Sequence, residues 1–161
     1  MLKAHGVRRL VDVRTVPRSR HNPQFNRESL PAALAAEGIA YAHAKGLGGL
    51  RRPRADSPNG GWRNAGFRGF ADYMATAEFA AELAALEKEA GEAPAAIMCA
   101  EAVPWRCHRS LIADALVAAG HTVEHIMSRE RRQPHKLTPF ARLDGGHISY
   151  PPEEARLPGV G

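Results

Sequence analysis

The sequence lacks several features that would place it quickly in a class of protein. It has no apolar run approaching the roughly 18 residues of a transmembrane helix. It has no basic-then-apolar segment of the secretory type at its start, and no internal repeat. These absences predict a soluble, cytoplasmic protein that has no membrane partner.

Cysteine is also scarce. The only two, Cys99 and Cys107, are too few for the disulfide framework of a small secreted domain, and their spacing is not the C-x-x-C of metal and redox sites. A zinc site would need histidines recruited from elsewhere in the chain. We therefore predict no metal and no cofactor; a metal bound by Cys107, His108 and distant ligands is a third, less favoured alternative.

What the sequence does contain is an ordinary globular composition with a basic balance. Its 161 residues are 44% hydrophobic, which is enough for one domain with a core. The net charge is +5 and the pI about 9.7. Several arginines fall in predicted loops, so we expect an anionic partner, either a small molecule or a nucleic acid.

Apolar and β-branched segments alternate with segments of helical period. Strands are predicted at 8–13, 39–43, 95–99 and 122–127, and helices at 29–37, 67–89 (in two pieces) and 110–119. This alternation predicts an α/β fold: a three-layer sandwich with a small, mostly parallel, Rossmann-like sheet. We expect the domain to span 1–127 and a basic, proline-rich extension to span 128–161.

In such folds the ligand site lies beyond the carboxyl ends of the strands. Three polar segments follow the first three predicted strands: DVRTVPRSR, AKGLGGLRR and CAEAVPWRCHR. They are expected to form one cleft.

The third segment carries the most chemistry. Cys107 and His108 precede a helix, whose dipole and free N–H groups would lower the pKa of a thiol or seat an anion. Cys107 is thus a candidate nucleophile, with Arg109 beside it, and Glu101 a candidate general acid or base. The alternatives are structural: Cys99 as a small core residue, Cys107 in a structural role, and Glu101 in a salt bridge to Arg109 or Arg14.

The first segment holds Asp12 and Arg14 at the end of a strand. Asp12 could act as a base, or it could only hold Arg14 in a buried ion pair. Arg18 and Ser19 follow in a short basic loop that would suit a phosphate.

The second segment has neither a Walker motif nor G-x-G-x-x-G. Its glycines, including Gly48 and Gly49, would permit either close backbone approach or positive φ angles. The arginines after them, with Trp62 and Phe67, could grip a nucleic acid; a solvated charged stretch is the alternative.

Several strings taken together resemble the domain of unknown function 488 family. They are LVDVR with the following P-x-S and NPQFN, then LGG, FADYMATAEFAAELAAL, MCAE-x-x-P-x-x-CHR with LIADAL, and HKLTPFARLDGGHISYP. The resemblance implies a small α/β domain in a bacterial-type cytoplasmic protein, and it supplies no activity. The family's motif positions correspond here to Asp12, Arg14, Ser19, Cys99, Glu101, Cys107, His108 and Arg109.

One departure from the family pattern concerns the start of the chain. Family members open with a further strand, a polar segment and a helix, whereas MLKAHGVRRL resembles only the tail of that helix. The sheet is therefore expected to lack its usual first strand, and its exposed edge would offer a surface for self-association.

These observations predict a hydrolase or group-transfer enzyme for a phosphate-bearing or nucleotide-like substrate. The predicted catalytic residues are Glu101, Cys107 and Asp12, and the predicted anion-binding residues are Arg14, Arg18, Ser19, Gly48, Gly49, His108 and Arg109. The alternative is a non-catalytic module that binds nucleic acid or nucleotides.

Overall fold

The computed structural model describes residues 1–101 and 103–156. Its centre is a three-stranded parallel sheet in which β1 (Arg9–Asp12) lies between β2 (Ala40–His43) and β3 (Ala95–Met98). The register pairs Asp12 with His43 on one side and with Met98 on the other. All three strands therefore end at the same edge of the sheet.

Alternating side chains of β1 face opposite layers, as the pleat of a strand requires. Leu10 packs with Leu30 and Leu34 of α1 (Leu30–Ala36). Val11 and Val13 belong to the larger core on the other face. That core is supplied by three helices: α2 (Ala65–Tyr73), α3 (Ala77–Glu92) and α4 (Arg109–Ala118). The predicted α/β sandwich is confirmed.

The helical stretch predicted at 67–89 is indeed two helices, because two polar side chains each cap a new start. The Asn64 side chain accepts a hydrogen bond from the backbone N–H of Phe67 (3.1 Å), and Thr76 Oγ1 accepts one from Phe79 (3.2 Å). Each satisfies a donor that the first turn of a helix leaves unpaired. Short 3-10 turns occupy Lys3–His5, Pro23–Phe25, Lys45–Leu47 and Pro104–Arg106.

The long connection between β2 and α2 is held by one buried carboxylate. Asp72 Oδ1 accepts hydrogen bonds from Ser57 Oγ (2.6 Å) and Asn59 Nδ2 (2.7 Å), and Oδ2 accepts one from the N–H of Arg54 (2.8 Å). Asn59 Oδ1 in turn accepts the N–H of Tyr150 (2.9 Å). The loop and the C-terminal part of the chain are therefore fixed to α2 together.

The strand predicted at 122–127 exists, but its predicted place in the parallel sheet is wrong. Strand β4 (Glu124–Ile126) pairs antiparallel with β5 (Arg132–Pro134), and β6 (Arg142–Asp144) pairs with β7 (His147–Ser149). A last turn, α5, spans Glu153–Arg156. The buried Tyr150 ring belongs to the main core, so the C-terminal hairpins pack on the sandwich; a domain boundary at residue 127 stays a prediction.

No helix in the described part of the chain is both long and apolar enough to cross a membrane. Self-association through a sheet edge likewise stays a prediction.

Candidate functional site

The shared edge of the parallel sheet brings the three predicted segments together. Asp12 ends β1, His43 ends β2, and Cys99 follows β3 directly. The N-terminus of α4, with Cys107 and His108 just before it, reaches back to β1 through a hydrogen bond between His108 Nε2 and the carbonyl of Val13 (3.1 Å).

Asp12 and Arg14 form a buried ion pair. Arg14 donates from Nε to Asp12 Oδ1 (2.9 Å) and from Nη2 to Oδ2 (2.7 Å), and the N–H of Arg14 also donates to Oδ1 (3.1 Å). The Tyr41 hydroxyl donates to Oδ2 (2.6 Å). Four donors thus occupy a carboxylate that is 0% exposed. The geometry matches the structural alternative, in which Asp12 holds Arg14.

The same contacts set the protonation of the pair. Burial opposes the charge on Asp12, but the hydrogen bonds from Arg14 and Tyr41 outweigh it and keep the pKa of Asp12 below its ordinary value. Burial and the hydrogen bond to Asp12 raise the pKa of Tyr41 to about 12. Arg14 Nη2 also donates to the carbonyl of Phe25 (2.6 Å), so the pair fixes the following loop to the sheet.

Arg18 and Ser19 lie farther along that loop and make their contacts within it. The exposed Arg18 guanidinium is 3.7 Å from Glu28. The N–H of Ser19 donates to Asn26 Oδ1 (2.6 Å), and its hydroxyl accepts from the N–H of Asn22 (3.0 Å). The structure does not bring either side chain into contact with the cysteine segment within the described residues.

The His108 ring lies against Cys107 in its neutral form. Burial lowers the pKa of His108 more than the carbonyls of Val13 and Leu47 raise it, which favours the neutral ring. A carbonyl only accepts, so Nε2, bonded to Val13, carries the ring proton. Nδ1 therefore presents its lone pair to Cys107 Sγ at 3.5 Å. The ring is held by Phe70, whose centroid is 5.1 Å away.

Cys107 Sγ has two further partners. It accepts a hydrogen bond from the N–H of Arg109 (3.4 Å) at the start of α4, and it is joined to Cys99 Sγ in a disulfide. Cys99 also packs against the core, as predicted. This pairing has no sequence signature, because the spacing of Cys99 and Cys107 is not that of a C-x-x-C motif.

Arg109 contacts Glu101 through the main chain of Glu101 rather than through its carboxylate. Arg109 Nη2 donates to the main-chain carbonyl of Glu101 (2.6 Å), and the N–H of Glu101 donates to Cys99 Sγ (3.2 Å). Burial lowers the pKa of Arg109, and the charge of Glu101 opposes that shift. Among the described residues the exposed Glu101 carboxylate has no hydrogen-bond or ion-pair partner, so it is available to solvent and to a ligand.

A cavity of about 310 Å³ opens beside the ends of β1 and β2. It is lined by Thr15, Lys45, Gly46, Leu50 and Arg51. Arg51 is held in place by Nη2 donating to the carbonyl of Gly46 (3.1 Å) and by the Tyr73 ring, 3.6 Å from the guanidinium carbon. Two cations and one hydroxyl therefore line this cavity.

The predicted glycines, Gly48 and Gly49, serve close packing. A Cβ at Gly49 would lie 2.6 Å from His108 Nδ1, and one at Gly48 would collide with the Thr15 side chain. Neither has a positive φ angle, so that alternative is wrong. These glycines let the loop lie directly over His108 and Thr15.

Gly49→Ala is expected to lower the free energy of unfolding by about 1–3 kcal/mol, because the half-buried His108 ring has to move. Gly91→Ala in α3 is the control, since a Cβ there meets nothing within 4 Å and alanine favours a helix. Urea unfolding of both variants measures the difference; equal stabilities would contradict the packing described here.

The strings that occupy this edge, LVDVR on β1 and CAE with CHR between β3 and α4, lie inside the range matched by one family model. That model, described as "Domain of unknown function DUF488", matches residues 1–116. The chain belongs to the DUF488 family. No curated protein and no solved structure gave a significant match. The DUF488 match contains all ten predicted site residues and ends within α4.

Within the DUF488 part, sequence reasoning missed Thr15, Lys45 and Tyr41. Tyr41 and Lys45 carried a usable signal, since one is in β2 and the other follows it at the edge where ligands bind. Thr15 carried no signal, because its place against Gly48 depends on how the loop folds over.

Proposed function

We propose that this DUF488 protein is a hydrolase or group-transfer enzyme that uses Cys107 as a nucleophile on an anionic substrate. The observation that carries the proposal is the position of Cys107 Sγ between His108 Nδ1 (3.5 Å) and the N–H of Arg109 (3.4 Å). One partner can take the thiol proton, and the other stabilises the thiolate that results.

The chemistry follows from these partners. His108 Nδ1 accepts the proton of Cys107, and the thiolate forms a bond to the electrophilic atom of the substrate while the bond to the leaving group breaks. The imidazolium of His108 returns the proton to the leaving group. In hydrolysis, Glu101 takes a proton from the water that attacks the group on sulfur. The bond from that group to sulfur breaks, the product leaves, and Glu101 returns the proton to the Cys107 thiolate, which restores the thiol.

The cavity lined by Lys45 and Arg51 supports the anionic character of the substrate. Gly49 belongs to the loop that also carries Lys45 and Arg51, and it packs directly against His108, whose pKa the charge of Arg51 lowers. In this proposal an anion held by Thr15, Lys45 and Arg51 therefore lies near the Cys107–His108 pair. Arg14 is saturated by Asp12, so both act as positioning residues in this proposal. Arg109 contributes the N–H that faces the sulfur.

The proposal requires the reduced form of the Cys99–Cys107 pair, and it places the protein in the cytoplasm, where thiols are kept reduced. In the oxidised form the nucleophile is blocked by its own partner.

Alkylation of the Cys99→Ser protein, in which Cys107 is the only thiol, tests both parts of the site. We expect the ratio of the iodoacetate rate to the iodoacetamide rate to be higher for this protein than for free cysteine, because the cationic cavity concentrates the anionic reagent. Lys45→Gln and Arg51→Gln should each remove this preference. The rates are measured by intact mass against time.

Arg142→Gln serves as the control, because it removes one charge at an exposed position of β6. It should leave the preference for iodoacetate unchanged. If neither reagent reacts faster than with free cysteine and the charge variants change nothing, the enzyme proposal fails. A salt-sensitive binding module would then be the better interpretation.

A further inference from the structure

A second cleft, of about 350 Å³, lies between the sandwich and the C-terminal hairpins. We propose that it binds a heterocyclic base of the purine or pyrimidine type. Its volume falls in the range of small-molecule sites. Its walls combine aromatic rings, among them Trp62 and Trp105, with polar groups that include Gln133 and His125.

The polar side of the cleft begins at a buried carboxylate, Asp114, which is 0% exposed. Its Oδ1 accepts from His135 Nε2 (2.7 Å) and from the N–H of Thr138 (3.1 Å). Its Oδ2 accepts from the hydroxyls of Thr138 (2.6 Å) and Tyr150 (2.8 Å). The carboxylate only accepts, so it fixes the proton of His135 on Nε2.

His135 connects Asp114 to His125, which lines the cleft. His135 Nδ1 lies 2.8 Å from His125 Nε2, so one of these two nitrogens donates a hydrogen bond to the other. The second ring nitrogen of His125, Nδ1, forms no hydrogen bond within the described residues. Burial, then the neighbouring His135 and Arg109, lower the pKa of His125 and favour its neutral form. In the proposed site this remaining nitrogen of His125 meets the ring N–H of the ligand.

The aromatic side of the cleft suits a flat ring. Trp62 is in edge contact with Phe67 and Phe140, with centroid distances of 5.2 and 4.8 Å, and in tilted contact with Tyr150 at 5.4 Å. Trp105 is 63% exposed at the mouth. An exposed indole beside a fixed aromatic wall offers a stacking surface for a heterocycle. The amide of Gln133 can both donate and accept, which matches the mixed edge of a base.

This site is independent of the proposed enzyme chemistry. It uses neither Cys107 nor Glu101, and most of its residues follow residue 116, where the DUF488 match ends.

The two tryptophans of the chain both line this cleft, so intrinsic fluorescence reports on it directly. We expect uridine or inosine to quench the fluorescence in a saturable way. Trp105→Ala should weaken the binding about tenfold, as loss of one stacking surface does. Leu143→Ala, which removes another exposed apolar side chain (50% exposed) on β6, should have no effect.

The role of His125 is tested by pairing variants with methylated ligands. Uridine and inosine should bind more tightly than 3-methyluridine and 1-methylinosine, which lack the ring N–H. His125→Gln keeps an amide near the Nε2 position and removes the acceptor at Nδ1, so it should abolish the difference between each pair. Circular dichroism of each variant verifies that it is folded.

A titration with oligouridylate distinguishes a site for a base within a nucleic acid strand from a site for a free nucleoside. Tighter binding of the oligonucleotide, weakened by salt, would assign the cleft to a strand, and equal binding would assign it to free nucleosides; both outcomes support a base site. Unchanged fluorescence with all ligands, or equal weakening by Trp105→Ala and Leu143→Ala, would overturn the proposal.

Discussion

Replacing Asp12 by alanine is expected to lower the free energy of unfolding by about 3–5 kcal/mol. The substitution leaves the Arg14 guanidinium, which is 5% exposed at its side chain, without its carboxylate partner in the centre of the sheet edge. It also leaves the Tyr41 hydroxyl without its acceptor. Urea denaturation at neutral pH measures the loss.

The chain contains a close geometric match to serve as control. Arg54 donates from Nε to Asp56 Oδ1 (3.1 Å) and from Nη2 to Oδ2 (2.8 Å), with the same two-residue separation, but both side chains are more than half exposed. Asp56→Ala is expected to cost at most about 1 kcal/mol, because water replaces the lost partner. Equal losses in the two variants would show that burial does not set the strength of the Asp12 pair.

Asp12→Ala should also change how the free energy of unfolding depends on pH under acid conditions. Because the pKa of Asp12 is lowered in the folded protein, its contribution is complete above the ordinary aspartate value of 3.8 and is lost as the pH falls through the lower, folded value. Stability below that ordinary value should therefore fall less steeply with pH in Asp12→Ala than in the wild type.

Cys107→Ser is expected to reduce turnover by about a thousandfold or more, since a hydroxyl at this position is not ionised by His108 as a thiol is. The assay is hydrolysis of p-nitrophenyl esters of phosphate, sulfate and short carboxylic acids by the reduced protein. The loss should appear in kcat, because the nucleophile acts in the chemical step.

The second cysteine provides the matched control. Cys99→Ser removes the same atom at the other end of the disulfide and should retain turnover, even without added reductant, because Cys107 can no longer be blocked. The wild-type protein should require reductant. Full activity in Cys107→Ser, or an equal loss in both variants, would exclude Cys107 as the nucleophile.

The parallel sheet was predictable because each of its strands is marked twice, by an apolar run and by the polar segment that follows it. The clustering of Asp12, Cys99 and Glu101 at one edge follows from that pattern, since parallel strands end together. The catalytic and anion-binding roles stay predictions, whereas the positions of these residues are now known.

The parts that could not be predicted depend on contacts between distant segments. Strand β4 is only three residues long, and nothing in so short a run tells whether its partner lies in the central sheet or in a hairpin. The contact between Asp114 and His135 joins α4 to the residue that follows β5. Its one local signal was an aspartate among the apolar positions of α4, which the helical pattern alone did not explain.

The central place of β1 also sets the order in which the chain can fold during synthesis. Arg9 pairs with Ala40 of β2 on one side and with Ala95 of β3 on the other. One edge of β1 therefore stays unpaired until β3 has been synthesised. At about 5–20 residues per second, the ribosome needs on the order of ten seconds to supply it. Until then the nascent chain carries an open, apolar strand edge, and we expect chaperone dependence to end once β3 emerges.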